Sequence, residues 1–146
     1  MSLAVEVRPG AWLHLLAQRA AFDPALVEFG AFNPDDFDLG HDRQMLDGEH
    51  DLFGDGTVKL IPTPGHTIGH QSMKVKLPKM GTVILTQDAV WMQENLDGYV
   101  AGLNFSVQAY SDSVNRIKMM RDLEGAQILM SHDANQFAKM GDRWHK

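Results

Sequence analysis

The chain contains no cysteine. That removes disulfides, thiol nucleophiles and thiolate metal ligands together, so any bound metal would rest on histidine and carboxylate. Positive charge is also scarce. The 146 residues carry a formal net charge of −6, whereas phosphate backbones call for clustered Lys and Arg, so nucleic acid is not an expected partner. No apolar run nears the ~20 residues of a membrane helix, so no membrane partner is expected either. The start, MSLAVEVRPG, lacks the basic stretch and apolar core of a secretion signal, and a cytoplasmic location is the expectation. Internal repeats and low-complexity linkers are absent too. What is present, 44% hydrophobic residues, suits one globular domain that can bury its own core.

Pattern then divides the chain. LAVEVRP alternates and reads as a strand ended by Pro9. Gly10 to Phe22 reads as a helix with Leu13, Leu16 and Ala20 on one face. Asp23 to Asp42 is rich in breakers and in phenylalanine. It reads as a long loop that either lines a pocket or packs on the body. Asp-Gly steps at 47–48 and 55–56 mark tight turns. Thr57 to Ile61 reads as a strand stopped by Pro62 and Pro64. In SMKVKL, Met73, Val75 and Leu77 should face inward, with Ser72, Lys74 and Lys76 toward solvent. GTVILT reads as a central strand and AQILM as another buried one. Between them lies a helix capped by Ser106 and ended by Gly125, its buried stripe being Val107, Tyr110, Val114, Ile117 and Met120. The tail after AQILM gives no clear pattern. Alternating strands and helices predict an α/β layered fold.

Three polar residues follow directly on predicted strands: His66, Asp88 and His132. Side chains at the ends of adjacent strands converge on one sheet edge, where α/β proteins place their sites. Two histidines and a carboxylate suit zinc, manganese, iron or cobalt, and a carboxylate can bridge two ions. Each residue also has an ordinary reading, as a locally bonded loop histidine or as a turn-forming Asp. His70, at the start of the next strand, reads as a buried structural histidine bonded to backbone. His14, His41, His50 and His145 fit no ligand spacing.

PGHTIGHQS, LTQDA and SHD together resemble the metallo-β-lactamase superfamily, and within it the N-acyl-homoserine lactonases. The resemblance is clear over residues 45 to 135 and looser before them. It implies the C-terminal half of an αββα sandwich, and a metal-dependent hydrolase that opens a lactone ring. It also implies His66, Asp88 and His132 as metal ligands, with Asp88 bridging two ions, zinc by preference, and so taking the catalytic role. Other thioester or lactam hydrolases of the superfamily are the near alternatives.

Two departures accompany the match. The family's His-x-His-x-Asp-His motif is absent, for the chain has no His-x-His and no Asp-His pair. Each ion would then have two protein ligands, and residues 1–146 read as one incomplete domain lacking its N-terminal metal-binding segment, inactive alone. Trp91 stands where some lactonases carry a tyrosine that polarises the substrate. An indole N–H donates one hydrogen bond but cannot cycle a proton. Trp91, Phe29 and Phe32 are the expected substrate contacts, with Phe22 and Phe37 beside them. Half a sandwich leaves a sheet face open, so a homodimer is expected to cover it. The alternative is a non-catalytic remnant that acts through self-association.

Overall fold

The computed structural model describes residues 15–22 and 43–140. Two short parallel strands, β1 (Leu15–Gln18) and β2 (Arg43–Leu46), pair in register from Leu15 with Arg43 to Gln18 with Leu46. A 3-10 turn, Arg19–Phe22, follows β1. The helix expected over Gly10 to Phe22 is therefore corrected where the chain is described. Pairing with β2 overrides the helical spacing, and the Gln18 amide fastens β1 by bonding both the Gly48 carbonyl (2.9 Å) and the Gly48 N–H (3.1 Å). The LAVEVRP strand and the phenylalanines of the 23–42 loop lie outside the described residues.

A five-stranded sheet forms the body, in the order β3 (His50–Asp51), β4 (Val58–Pro62), β5 (Gln71–Leu77), β6 (Gly81–Leu85) and β7 (Gln127–Leu129). The first four strands run antiparallel to their neighbours. Their tight connections include the expected Asp-Gly turn at Gly56, whose φ of 76° glycine tolerates at little cost. β7 lies parallel to β6, which demands a long crossover. That crossover carries α1 (Gln93–Leu96) and α2 (Val107–Glu124). A third helix, α3 (Ala134–Met140), follows β7. No helix among the described residues is long and apolar enough to cross a membrane.

Helix α2 begins and ends as its sequence requires. Ser106 Oγ accepts from the Ala109 N–H (3.2 Å), and Gly125 closes the helix in the left-handed conformation. Tyr110, Val114 and Ile117 are buried in one cluster with Ala89, Val90, Leu96, Ala101 and Met130, each worth ~2 kcal/mol of apolar transfer. Val107 departs from the expected stripe: it occupies the first helical position and is 58% exposed.

The helix covers the side of the sheet that carries Ile61, Ser72, Lys74 and Ile84. Ile61 and Ile84 are fully buried there with Met120 of α2 against them, and they pair across the ladder with Ser72 and Lys74. The expected solvent face of β5 is thus the helix-covered one. Ser72 is buried, and Lys74 reaches Glu124 of α2 at 3.1 Å. The other face carries Val58, Leu60, Met73, Val75, Leu77, Val83, Leu85 and Leu129. All of these are buried or half-buried, so this face is not left open as expected. β7 is an edge strand with Gln127 exposed, where a buried strand was expected.

Candidate metal centre

The loop between β4 and β5 holds His66. Its backbone turns on itself through Thr63 N–H to His70 O (2.9 Å) and Gly65 N–H to Thr67 O (3.0 Å). Helix α2 then grips it. Ser113 Oγ donates to the Pro64 carbonyl (2.6 Å), Arg116 to the Pro62 carbonyl (3.1 Å), and the Ser106 N–H to the Gly65 carbonyl (3.2 Å). Gly65, with φ of 144°, lies so close to α2 that a Cβ would fall 2.3 Å from Tyr110 Cα.

Hydrogen bonding fixes the His66 tautomer. Nδ1 lies 2.7 Å from the Leu103 carbonyl, which can only accept, so Nδ1 carries the hydrogen. Nε2 is thereby turned to Asp88 Oδ2 at 3.6 Å, the ring nitrogen left for a proton or a cation.

Asp88 stands on the 3-10 turn Gln87–Ala89 after β6. Gln87 immediately before it has φ of 49°, a strained conformation for a residue with a side chain. Ser131 holds it there, its Oγ donating to the Gln87 carbonyl (2.8 Å). His132, one residue further, meets the other oxygen of the same carboxylate, Nε2 to Asp88 Oδ1 at 3.0 Å. Trp91 contacts both imidazoles, with ring centroids 5.9 Å from His66 and 5.2 Å from His132. Its indole N–H is buried and has no hydrogen-bond partner among the described residues.

His70 ends a chain of hydroxyl groups. Ser72 Oγ spends its proton on the Thr86 carbonyl (3.1 Å), so Thr63 must donate to Ser72 (2.8 Å). Thr63 oxygen then accepts from His70 Nδ1 (2.8 Å). The ring bonds the Thr63 hydroxyl, and the Thr63 backbone adds the kind of bond that was expected. Burial, and secondarily the neighbouring His66, hold the His70 pKa below the ordinary histidine value.

The sequence reading missed several supports. Asn95, buried, accepts from the Trp91 and Met92 N–H groups (2.9 and 3.0 Å) and so fixes the tryptophan. Asp133 caps α3 through the Gln136 N–H (2.8 Å) and also accepts from the Gln93 N–H (3.2 Å). The Asp followed three residues later by Gln was a readable helix-start signal. The Leu103 carbonyl carried none. Phe29, Phe32 and Phe37 lie outside the described residues.

No family model matches the chain. Curated relatives do. An N-acyl homoserine lactonase AttM from Azorhizobium caulinodans is 34% identical over 133 residues, spanning 82% of this chain and 49% of the relative. An N-acyl homoserine lactonase from a Bacillus species is 32% identical over 93 residues, 64% of this chain and 36% of the relative. A solved N-acyl homoserine lactone hydrolase, with the product N-hexanoyl-L-homoserine at its catalytic metal centre, superposes with a TM-score of 0.75. It shares 26% identity and covers 85% of this chain and 48% of its own. The chain is a homologue of the N-acyl homoserine lactonases, with the metallo-β-lactamase fold. A putative metallo-β-lactamase from Thermotoga maritima, with a TM-score of 0.55 at 20% identity, shares that fold. The lactonase homologue spans about half the length of the curated relatives it matches.

The donor set fits a share of a two-ion site. Each imidazole addresses its own oxygen of one carboxylate, the arrangement that lets a carboxylate serve two cations at once. It does not make a full shell. Each ion would receive one nitrogen and one oxygen, where zinc takes three or four protein donors. Among the described residues no group of three or more His, Asp or Glu side chains is arranged to hold an ion unaided.

Proposed function

We propose that His66, Asp88 and His132 are one share of the metal site of a lactone hydrolase acting on N-acyl homoserine lactones. The observation behind the reading is that two histidine Nε2 atoms meet opposite oxygens of Asp88, at 3.6 and 3.0 Å, in a chain homologous to lactonases. A divalent ion, zinc by preference, supplies Lewis acidity to a carbonyl when bound in such a site. The chain's own residues then do the positioning. Leu103 keeps the His66 Nε2 turned inward, and Trp91 packs its ring against both imidazoles. Asp88 carries the charge that draws a cation in.

The short donor count favours a second reading for the 146 residues alone: a non-catalytic form that acts through self-association. The expected open sheet face gives that reading no support, because the face is half-buried.

Metal content per chain, by mass spectrometry after zinc or manganese loading and desalting, separates the two readings. Sedimentation and a lactone-hydrolysis assay accompany it. The hydrolase reading expects about one or more ions per chain, lost in His66→Ala and Asp88→Ala, and lactone opening that disappears with them. Absence of retained metal and of hydrolysis, in a chain that sediments as a dimer, would establish the second reading.

A further inference from the structure

One short stretch of chain ahead of α2 holds His66 and its neighbour Gly65. The Leu103 carbonyl takes the Nδ1 hydrogen of His66 (2.7 Å), the Phe105 N–H reaches the His66 carbonyl (3.2 Å), and the Ser106 N–H reaches the Gly65 carbonyl (3.2 Å). The stretch has little burial to hold it in return. Gly102, Leu103 and Phe105 are exposed, Leu103 at 70%. Its firm points are its two ends. Ala101 sits in the core cluster with Leu96 and Tyr110, and Ser106 caps α2. Asn104 spans the gap between them. Its side-chain NH2 donates to the Ala101 carbonyl, three residues back, a local side-chain-to-backbone bond of the kind that closes turns. The other amide atom, Oδ1, is buried with no hydrogen-bond partner among the described residues. The amide is therefore spent on tying the turn.

In its neutral form the His66 ring has one hydrogen and two acceptors competing for it. The Leu103 carbonyl lies 2.7 Å from Nδ1, and Asp88 Oδ2 lies 3.6 Å from Nε2. While the carbonyl holds its place, the hydrogen stays on Nδ1 and Nε2 keeps a free lone pair. If the carbonyl retreats, the carboxylate draws the hydrogen to Nε2 and closes that atom to a cation. The geometry points to Asn104 as a positioning residue of the site. Its bond to Ala101 aims the Leu103 carbonyl at Nδ1, and so selects the tautomer in which His66 can accept a metal ion. The inference rests on the functional reading above for its purpose, and adds a residue that acts through the ring of another. Ser113 and Arg116 hold the same loop differently, by the backbone carbonyls of Pro64 and Pro62.

The test is imidazole nitrogen NMR of the metal-free 146-residue chain at about pH 8, above the ordinary histidine pKa. The nitrogen shifts tell a hydrogen-bearing ring nitrogen from a bare one, and His66→Gln assigns the signals among the seven histidines. Wild type should carry the His66 hydrogen on Nδ1. Asn104→Ala removes the tie. Asn104→Asp keeps the shape and sets a second acceptor against the Ala101 carbonyl. In both, the ratio of Nδ1–H to Nε2–H should fall about fivefold, the worth of one hydrogen bond. Either variant decides alone if the other folds poorly. Ser113→Ala loosens the same loop elsewhere and should leave the ratio in place, so lost stability by itself does not mimic the effect. A wild-type hydrogen on Nε2, an unmoved ratio in the Asn104 variants, or an equal change in Ser113→Ala would overturn the inference. The measurement needs no metal, so the two readings fail separately. Retained metal with an unmoved ratio would sink this inference alone. A moved ratio in a chain that retains no metal would sink only the functional reading.

Discussion

His66 and His132 reach the same carboxylate and are held in opposite ways. His66 sits in a loop tied to α2 by Ser113, Arg116 and the Ser106 N–H, and its ring is locked by the Leu103 carbonyl. Its side chain is 24% exposed, against 55% for His132. His132 follows an edge strand and precedes a helix with no buried side chain. Among the described residues its ring makes one hydrogen bond, to Asp88. One histidine is preset before any ligand arrives, and the other sits where the structure can give. If the proposed metal reading holds, the firm side would fix where a cation settles and the soft side would let a substrate in.

The asymmetry breaks most severely at Gly65. Alanine there drives a Cβ into the α2 backbone and keeps an unfavourable φ, a cost of about 3 kcal/mol. Urea unfolding should show that loss, and hydrogen exchange should rise across 63–70. On the soft side, Gln136→Ala removes both bonds that clasp α3 to β7, a loss of about 2 kcal/mol. Its exchange should rise over 134–140 and leave the His66 loop unchanged. Equal spread of exchange from both variants would refute the division. Ser113→Ala deletes a single bond to Pro64 and should cost about 1 kcal/mol, with the same 63–70 signature as Gly65→Ala at lower amplitude.

The firm side was also the legible side. Pro64, Gly65 and His66 after a β-rich run announced a loop at a strand end, and Ser106 and Gly125 announced the limits of α2, because turns and caps are written in local chemistry. Asp88 and His132 were readable as strand-end polar residues. Contacts made by backbone were not readable: the Leu103 carbonyl that sets the His66 tautomer has no side-chain signature. Polarity misled on β5, where Ser72 and Lys74 looked solvent-facing. Ser72 is needed in a buried hydroxyl chain, and Lys74 finds Glu124, fifty residues away. The 15–22 stretch failed for a similar reason, since pairing with a distant strand outvoted its helical spacing.

The smallest expected effect sharpens the comparison by pH. His70 lies beneath the firm side, and burial, then the nearby His66, push its pKa below the ordinary value of about 6.5. The unfolded chain therefore takes up this proton at a higher pH than the folded one. Stability from the neutral ring is complete above the ordinary value and falls as pH drops below it, because the unfolded state then binds more protons. His70→Asn keeps an N–H donor for Thr63 without a titrating group. Urea midpoints at pH 7.5 and 5.5 should differ less in the variant than in the wild type. Equal differences would mean that His70 accepts its proton in place, and that the hydroxyl chain beneath His66 tolerates a charge.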